Sequence, residues 1–340
     1  MGAQEGPQYF APSPVGGVSE RREVPTFSIL IPCYQAADTV GRAVDSVLTQ
    51  TTAPHEVIVC DDGSTDDLQR ALAPYAENIV VLHQANRGVA AARNLGLNYA
   101  SGEFVAVCDA DDVYLPTILA ELSALAMTRT DLDILCCDAF IEVDGEILGP
   151  GRPDPATFII DDQRVGILQR DFVPGRSAFR RDLLLNVGGY DESLECAEDW
   201  DCWIRLILGG AIAGMVHMPL ARTRLRSDSL TASRVRVLSG QAAVLRKSLA
   251  RSDLSKAERE AAMLHFDIIE RALHVAKAQD AIRDAAPAEV RRQCLAIAGD
   301  PEQPFRTRMK AVSAAVAPRW ARRRARRETR EDHRILHLES

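Results

Sequence analysis

Four short apolar runs, at residues 27–31, 56–60, 79–82 and 104–108, recur along the first third of the chain with helix-length segments between them. This alternation constrains the fold more than any other feature. Strands joined by helices at such spacing build a mostly parallel sheet with right-handed crossovers, so the strands end on one edge. The helices are expected over 38–50, with Val40, Val44, Val47 and Leu48 on one face, and over 64–75 and 89–100. A further one, with Pro116 in its first turn, runs to about residue 127.

Ligands of open α/β sheets bind beyond the carboxyl ends of the strands. Three of those ends carry polar residues: Pro32-Cys33-Tyr34, Asp61-Asp62-Gly63-Ser64-Thr65-Asp66 and Asp109-Ala110-Asp111-Asp112. In an extended segment residues two apart project to the same side, so Asp109 and Asp111 can reach one ion. Hard oxygen donors with no His or Cys nearby suit Mg²⁺ or Mn²⁺, completed by water and ligand phosphates. The pattern Asp-x-Asp is weak alone. It recurs at 131/133 and 199/201, and a solvated turn that caps the next helix would look the same; only the pair at 109/111 directly follows a β-rich run. Asp61 and Asp62 can accept hydrogen bonds from a nucleobase or a ribose hydroxyl, although Asp-Gly-Ser is also ordinary turn chemistry with Ser64 or Thr65 as an N-cap. Asn86-Arg87-Gly88 and Arg93 supply the opposite charge. Gly88 permits close backbone approach, and Arg87 or Arg93 can meet phosphate oxygens near a helix N-terminus, while either arginine taken singly is equally a surface residue.

After residue 130 the rhythm changes. A strand or hairpin arm over 132–143 turns at Asp144-Gly145 into Ile147-Leu148, and 150–170 is expected to be a flexible connection with a helix near its end. A short strand (177–180) and a short helix (182–187) lead to Gly188-Gly189, and 198–208 reads clearly as a helix with Trp200, Trp203, Ile204 and Ile207 on one stripe. On the helical wheel Asp199 flanks that stripe and Glu198 points well away from it. A carboxylate at the edge of an aromatic-lined cavity is partly desolvated, which raises its basicity toward that of a general base. Acids in a first helical turn also simply suit the helix dipole. Residues 215–225 read as strand and loop, and the pattern is helical from about 234.

Composition limits the function classes. The chain has 340 residues and a net charge of −8, with its arginines crowded at the end (Arg319, Arg322, Arg323, Arg324, Arg326, Arg327, Arg330). An acidic body argues against nucleic acid as a partner. The eight cysteines form no Cys-x-x-Cys pair and suit a reduced, cytoplasmic protein. The N-terminus lacks a signal-peptide pattern, and the longest nearly apolar run, 206–218, is too short to span a bilayer and contains three glycines, so a soluble protein is expected.

Together these segments resemble a family 2 glycosyltransferase with the nucleotide-diphospho-sugar transferase fold called GT-A. The resemblance lies in Ser28-Ile-Leu-Ile-Pro-Cys-Tyr34, Val57-Ile-Val-Cys-Asp-Asp-Gly-Ser-Thr-Asp66, Asn86-Arg-Gly-Val-Ala-Ala-Ala-Arg-Asn94, Cys108-Asp-Ala-Asp-Asp112, Val187-Gly-Gly-Tyr-Asp191 and Glu198-Asp-Trp-Asp201, in the family's order and spacing over residues 27–230. It implies an α/β fold, a mostly parallel Rossmann-like sheet sandwiched by helices, with a C-terminal helical extension. The expected division is a segment without fixed structure (1–25), a transferase domain (26–233) and a helical region with a basic tail (234–340). The transferase domain would comprise a nucleotide-binding half (26–112) and an acceptor half (113–233).

The resemblance also implies roles. Asp61, with Asp62, would bind base and ribose beside the loop of Pro32 and Tyr34; Gly88, Arg93 and Ala110 would lie along the donor, with Arg93 near its diphosphate. Asp109 and Asp111 would be the metal and ribose carboxylates. Asp199 would take the proton from an acceptor hydroxyl in an inverting, in-line displacement. The donor would be a nucleoside-diphosphate sugar, UDP-linked, and the acceptor a glycan or glycolipid. One departure concerns the metal: many members carry a histidine ligand where this chain has Arg226. An arginine cannot ligate a metal but can neutralise the same diphosphate, so the metal is expected to be held weakly. A non-catalytic sugar-nucleotide binder and a sugar nucleotidylyltransferase are the competing readings. The latter should show a Gly-rich loop after the first strand, where this chain has Pro32-Cys-Tyr-Gln-Ala. Outside the resemblance, Phe305, Met309, Val312, Val316 and Trp320 recur at helical spacing among arginines, the pattern of a helix lying on an anionic membrane surface. That would place the protein at the inner face of the membrane.

Overall fold

The computed structural model describes residues 9–10, 24–143, 145–151, 158–159, 161–225, 233–284, 287–300 and 305–316. Arg226, Trp320 and the arginines from 319 onward lie outside the described residues, as does most of the segment 1–25. Within that segment Tyr9–Phe10 (β1) form a two-residue strand.

The expected alternation is present. Phe27–Cys33 (β2), Val40–Leu48 (α1), Glu56–Asp61 (β3), Leu68–Leu72 (α2), Val80–His83 (β4), Val89–Tyr99 (α3) and Phe104–Val107 (β5) follow in order. Strand β2 pairs in parallel with both β3 and β5, and β3 with β4. Pro32 is tolerated inside β2 because β5 stops short of it. Pairing ends at Leu30 opposite Val107, so the side that Pro32's missing N–H faces has no strand to bond.

The second half extends this sheet. Val113–Tyr114 (β6), Ile118–Thr128 (α4), Ile134–Val143 (β7), Glu146–Pro150 (β8), Gln163–Gln169 (α5), Ala178–Arg180 (β9), Arg181–Asn186 (α6), Glu198–Leu208 (α7) and Ala213–Leu225 (β10) succeed one another. The strand order is β1-β10-β7-β9-β5-β2-β3-β4, with β6 beside β10 and β8 beside β7. Among the described residues the three-residue β9 alone links β5 to β7 in the sheet, antiparallel to both. The guanidinium of Arg180 covers that seam, 4.8 Å above the Phe104 ring.

Alternation along the strands sets the two faces. Phe27, Ile29 and Ile31 pack toward α1 and α4 with Val57, Val59 and Ala106, whereas Leu30, Ile58, Val105 and Val107 pack toward α3 and α7. Arg234–Leu249 (α8), Lys256–Asp284 (α9), Pro287–Gly299 (α10) and Phe305–Val316 (α11) complete the chain. Leu238, Leu245, Ile269 and Leu273 of α8 and α9 are buried in the same cluster as Trp200 and Trp203 of α7, so these helices share the core of the α7 face. Among the described residues no helix is long and apolar enough to cross a membrane.

Candidate active site

The parallel register brings the carboxyl ends of β2, β3 and β5 to one edge. Side chains stitch their loops together. Gln35, in the left-handed region at φ +52°, accepts hydrogen bonds through its side-chain oxygen from the backbone N–H groups of Thr65 (2.8 Å) and Asp66 (3.1 Å), and Asp66 in turn accepts from Ala37 N–H at 2.8 Å. Helix α2 starts at Leu68 rather than near Ser64, and the residues before it form a turn held by Gln35.

Asp61 and Asp62 diverge. Asp61 accepts from Ser64 N–H at 2.9 Å and pairs with His83 Nδ1 at 2.8 Å. Partial burial works against its charge, but these two partners outweigh it and hold its pKa below the ordinary carboxylate value. Asp62 is buried and accepts from Gln84 Nε2 (2.7 Å), Arg87 N–H (2.9 Å) and Gly88 N–H (2.8 Å), so its oxygens shape the loop before α3. Gly88 sits at φ +93° at the head of α3; a Cβ there would meet open space, so the backbone angle and not crowding demands glycine. Tyr34 is exposed at the loop tip, whereas Pro32 is buried within its strand.

Arg93, expected beside a diphosphate, is a buried bridge. Its Nη1 donates to Glu198 Oε1 at 2.8 Å and its Nη2 to Asp109 Oδ1 at 3.2 Å, with the guanidinium 5.4 Å from the Tyr190 ring centroid. Desolvation opposes the charge on Arg93, but Asp109 and Glu198 outweigh it and push its pKa up further. Burial likewise raises the pKa of Glu198; Arg93 draws it back and Asp199 adds to the rise. The helical wheel placed Glu198 pointing well away from the tryptophan stripe. In the structure it is 8% exposed, because Arg93 of α3 meets it on the side that the stripe does not occupy.

The turn before α7 explains how that meeting is held. Asn94 donates to Tyr190 O at 2.8 Å and accepts from Tyr190 N–H at 2.8 Å. Gly189 lies at φ +67°, and a Cβ there would stand 2.4 Å from Asn94 Oδ1. Tyr190 meets Trp203 edge-on, and Trp203 stacks on Phe179 of β9 with centroids 3.8 Å apart. Asp201 anchors the other side of the turn through Arg205, which also donates to Val187 O and Gly189 O. Sequence reading missed Asn94, Gln35 and Arg205 as organisers of the site. The signal was a side chain that bonds backbone amides or carbonyls far away in sequence, and periodicity does not carry it.

Asp199 is half-buried at the start of α7, next to Glu198. A cleft of about 250 Å³ opens beside it, lined by Asp138, Ile141, Asp171, Val173, Gly175 and Arg176, and a Cβ on Gly175 would come within 3.8 Å of Asp199 Oδ2. At the exit of β5, Asp109 and Asp111 lie close enough to Asp112 to repel its charge. Asp112 is buried, accepts from Thr223 Oγ1 and Arg224 N–H, and is pushed up to about 7 by burial and then by Asp109, with Arg176 opposing. Carboxylate oxygens are the hard donors that Mg²⁺ or Mn²⁺ takes. Among the described residues no three His, Cys, Asp or Glu side chains converge to hold one without a ligand, so phosphate oxygens and water would complete the sphere.

A mixed sheet whose first four strands in sequence after β1 run parallel carries carboxylates at its exits, and Arg93 ties them to a second carboxylate pair at the head of α7, an arrangement of the nucleotide-sugar-transferase type of α/β protein. Residues 28–188 match the family model described as Glycosyl transferase family 2. It is 33% identical over 225 residues to the succinoglycan biosynthesis protein ExoU of Rhizobium meliloti, covering 60% of this chain and 64% of that one. It is 33% identical over 124 residues to the Escherichia coli protein WfgD, a UDP-Glc:α-D-GlcNAc-diphosphoundecaprenol β-1,3-glucosyltransferase, covering 36% and 49%. The chain spans about one fifth to two thirds of the length of the curated relatives it matches. A mannosyltransferase of Pyrobaculum calidifontis, solved with GDP-Man and Mn²⁺, has the same fold, with a TM-score of 0.59 at 20% identity over 91% of this chain and 90% of that one.

Proposed function

We propose that the chain is an inverting glycosyltransferase that moves a sugar from a nucleoside-diphosphate donor to a hydroxyl of a glycan or lipid-linked acceptor. The observation that carries this reading is the Arg93 bridge, which ties the donor-side carboxylate Asp109 to the first turn of α7. On this reading donor and acceptor groups would be held around one crevice, the positioning that an in-line displacement needs.

Asp61 and the Tyr34 loop would receive base and ribose. The cleft from Asp138 to Arg176 would take the acceptor, with Asp199 drawing the proton from its attacking hydroxyl. Asp109 and Asp111 would hold a Mg²⁺ or Mn²⁺ ion, which supplies charge stabilisation to the leaving diphosphate, and Arg226 would add positive charge there. Arg93 would serve as a positioning residue, since one N–H of each terminal nitrogen holds Glu198 and Asp109. A UDP-linked donor is supported by the donor in the name of WfgD, while the GDP-Man complex of the Pyrobaculum protein makes the base a point to measure. Screening the purified chain against UDP-, GDP- and dTDP-sugars with Mn²⁺ should give a raised melting temperature with one donor class. No stabilisation by any nucleotide sugar would overturn the reading.

A further inference from the structure

Helix α8 runs along the segment that holds Asp199. Arg236 Nη2 donates to Glu195 O at 3.2 Å, and a Cβ on Gly240 would stand 2.6 Å from Cys196 O. Lys247 Nζ reaches Asp191 Oδ2 at 2.6 Å and the two oxygens of Asp201 at 2.9 and 3.0 Å. Positions 236, 240 and 247 recur at helical spacing, so one face of α8 follows residues 191–201. Lys247 lies beyond residues 28–188, which the family model matches, and outside every motif read from the sequence.

The segment under α8 is the one that shapes the site. Asp191 belongs to the turn whose Tyr190 lies against Arg93, and Glu192 of the same turn accepts from Asn94 Nδ2 at 3.0 Å. Asp201 sits in the first turn of α7 with Glu198 and Asp199. One ammonium group therefore joins the turn to the helix that presents Asp199 to the cleft. Lys247 and then Ser193 hold the Asp191 carboxyl well below the ordinary carboxylate range, so this contact is ionic at neutral pH. Without Lys247, Asp201 would keep Arg205 at 2.8 Å, and Asp191 would keep Ser193 and its access to solvent. No buried charge would be left unpaired, so the fold can outlast the loss while the spacing of turn and helix does not.

We propose that Lys247 is a positioning residue for sugar transfer: it clamps the turn at Asp191 to the first turn of α7 and so fixes Asp199 against the cleft. The kinetic consequence rests on the sugar-transfer reading; the clamp itself does not. The test compares Lys247→Met, Lys247→Arg and Arg246→Met in the full chain. Arg246, the preceding residue of α8, pairs instead with Glu270 of α9 at 2.9 Å, so its loss removes an ion pair from the same helix without touching the clamp. Turnover is read as release of nucleoside diphosphate from whichever of UDP-, GDP- and dTDP-glucose raises the melting temperature most. Lys247→Met should lower kcat about tenfold and leave the KM for the sugar nucleotide within about twofold. Lys247→Arg should restore most of that loss, and Arg246→Met should turn over as wild type does. Hydrogen exchange needs no substrate: the amides of residues 190–198 should exchange about tenfold faster in Lys247→Met than in wild type or Arg246→Met. Unchanged protection there would overturn the clamp even in a chain that releases no nucleotide. Faster exchange with wild-type kcat, or equal losses of kcat in Lys247→Met and Arg246→Met, would overturn the positioning role. A wild type that releases no nucleoside diphosphate while the exchange contrast holds would overturn the sugar-transfer reading and leave the clamp standing.

Discussion

Arg93 and Glu198 stand 105 positions apart and meet at 2.8 Å, each side chain only 10% exposed, where α3 reaches the first turn of α7. Removing one member of a buried ion pair leaves the other charged and desolvated, at a cost of about 3 kcal/mol. Arg93→Met should therefore lower the melting temperature clearly and reduce kcat by about a hundredfold, since the lost bridge also frees Asp109 and Glu198 from their relative positions. Arg93→Lys should recover stability in part but not the two-armed geometry. Calorimetry and transfer kinetics on the two variants check this. Wild-type kcat in Arg93→Met would remove the bridge from the mechanism.

Asp199 and its neighbour Glu198 differ in a way that kinetics can separate. Glu198 is committed to Arg93, whereas Asp199 borders the cleft at Gly175. A general base contributes about 10²–10⁴ in rate, so Asp199→Asn should lower transfer by about a thousandfold while nucleotide binding stays within about twofold. Equilibrium titration with the nucleoside diphosphate, alongside single-turnover transfer, gives both numbers. A variant that transfers at the wild-type rate would show that the base lies elsewhere.

The sheet and the carboxylate exits were legible in the sequence because their signals are local. Runs such as Phe27–Cys33 and Phe104–Val107 are apolar and end in residues that stop a strand, and helix 198–208 carries its own stripe of tryptophan and isoleucine. What was not legible depends on partners distant in sequence. The turn before helix α2 is held by Gln35, some 30 residues upstream, through the amides of Thr65 and Asp66. Asp62 and Asp61 look equivalent as a pair, yet one is consumed by the Arg87-Gly88 loop and the other faces His83. A helical wheel registers one apolar face, so it assigned Glu198 to the outside and did not register the cation arriving from α3.

The contact between Gly189 and Asn94 leads to a third prediction. At φ +67°, with a virtual Cβ 2.4 Å from Asn94 Oδ1, Gly189→Ala combines an unfavourable backbone angle with a clash against the side chain that holds Tyr190. Each effect costs about 1–3 kcal/mol. The variant should lose about 3 kcal/mol of stability and also show weakened transfer, because Tyr190 lies against Arg93. Gly145→Ala, at φ +86° in a turn where a Cβ meets open space, should pay only the backbone part and keep normal transfer. Denaturant titration of the two alanine variants distinguishes crowding from backbone angle, and equal losses would remove the clash from the account.

His265 links the C-terminal helices to the catalytic body and gives the fold a pH dependence of known sign. Its Nδ1 lies 3.0 Å from Leu168 O of α5, and its ring is 5.5 Å from that of Trp200. Burial lowers its pKa below the ordinary 6.5, with the Leu168 carbonyl opposing. The unfolded chain therefore binds a proton more readily than the folded one, and unfolding becomes easier as pH falls through and below about 6.5. The stabilisation is fully present above that pH. Asp112 and Glu198, whose pKa values are raised, act with the opposite sign, losing stability as pH rises, so the total curve mixes both. The difference between wild type and His265→Gln isolates the histidine: the gap in unfolding free energy should narrow as pH drops from 7.5 to 5.5, in urea titrations at about 0.5-unit steps. A gap that stays constant with pH would mean that His265 titrates alike in both states, and the α5–α9 contact would then owe nothing to its neutral ring.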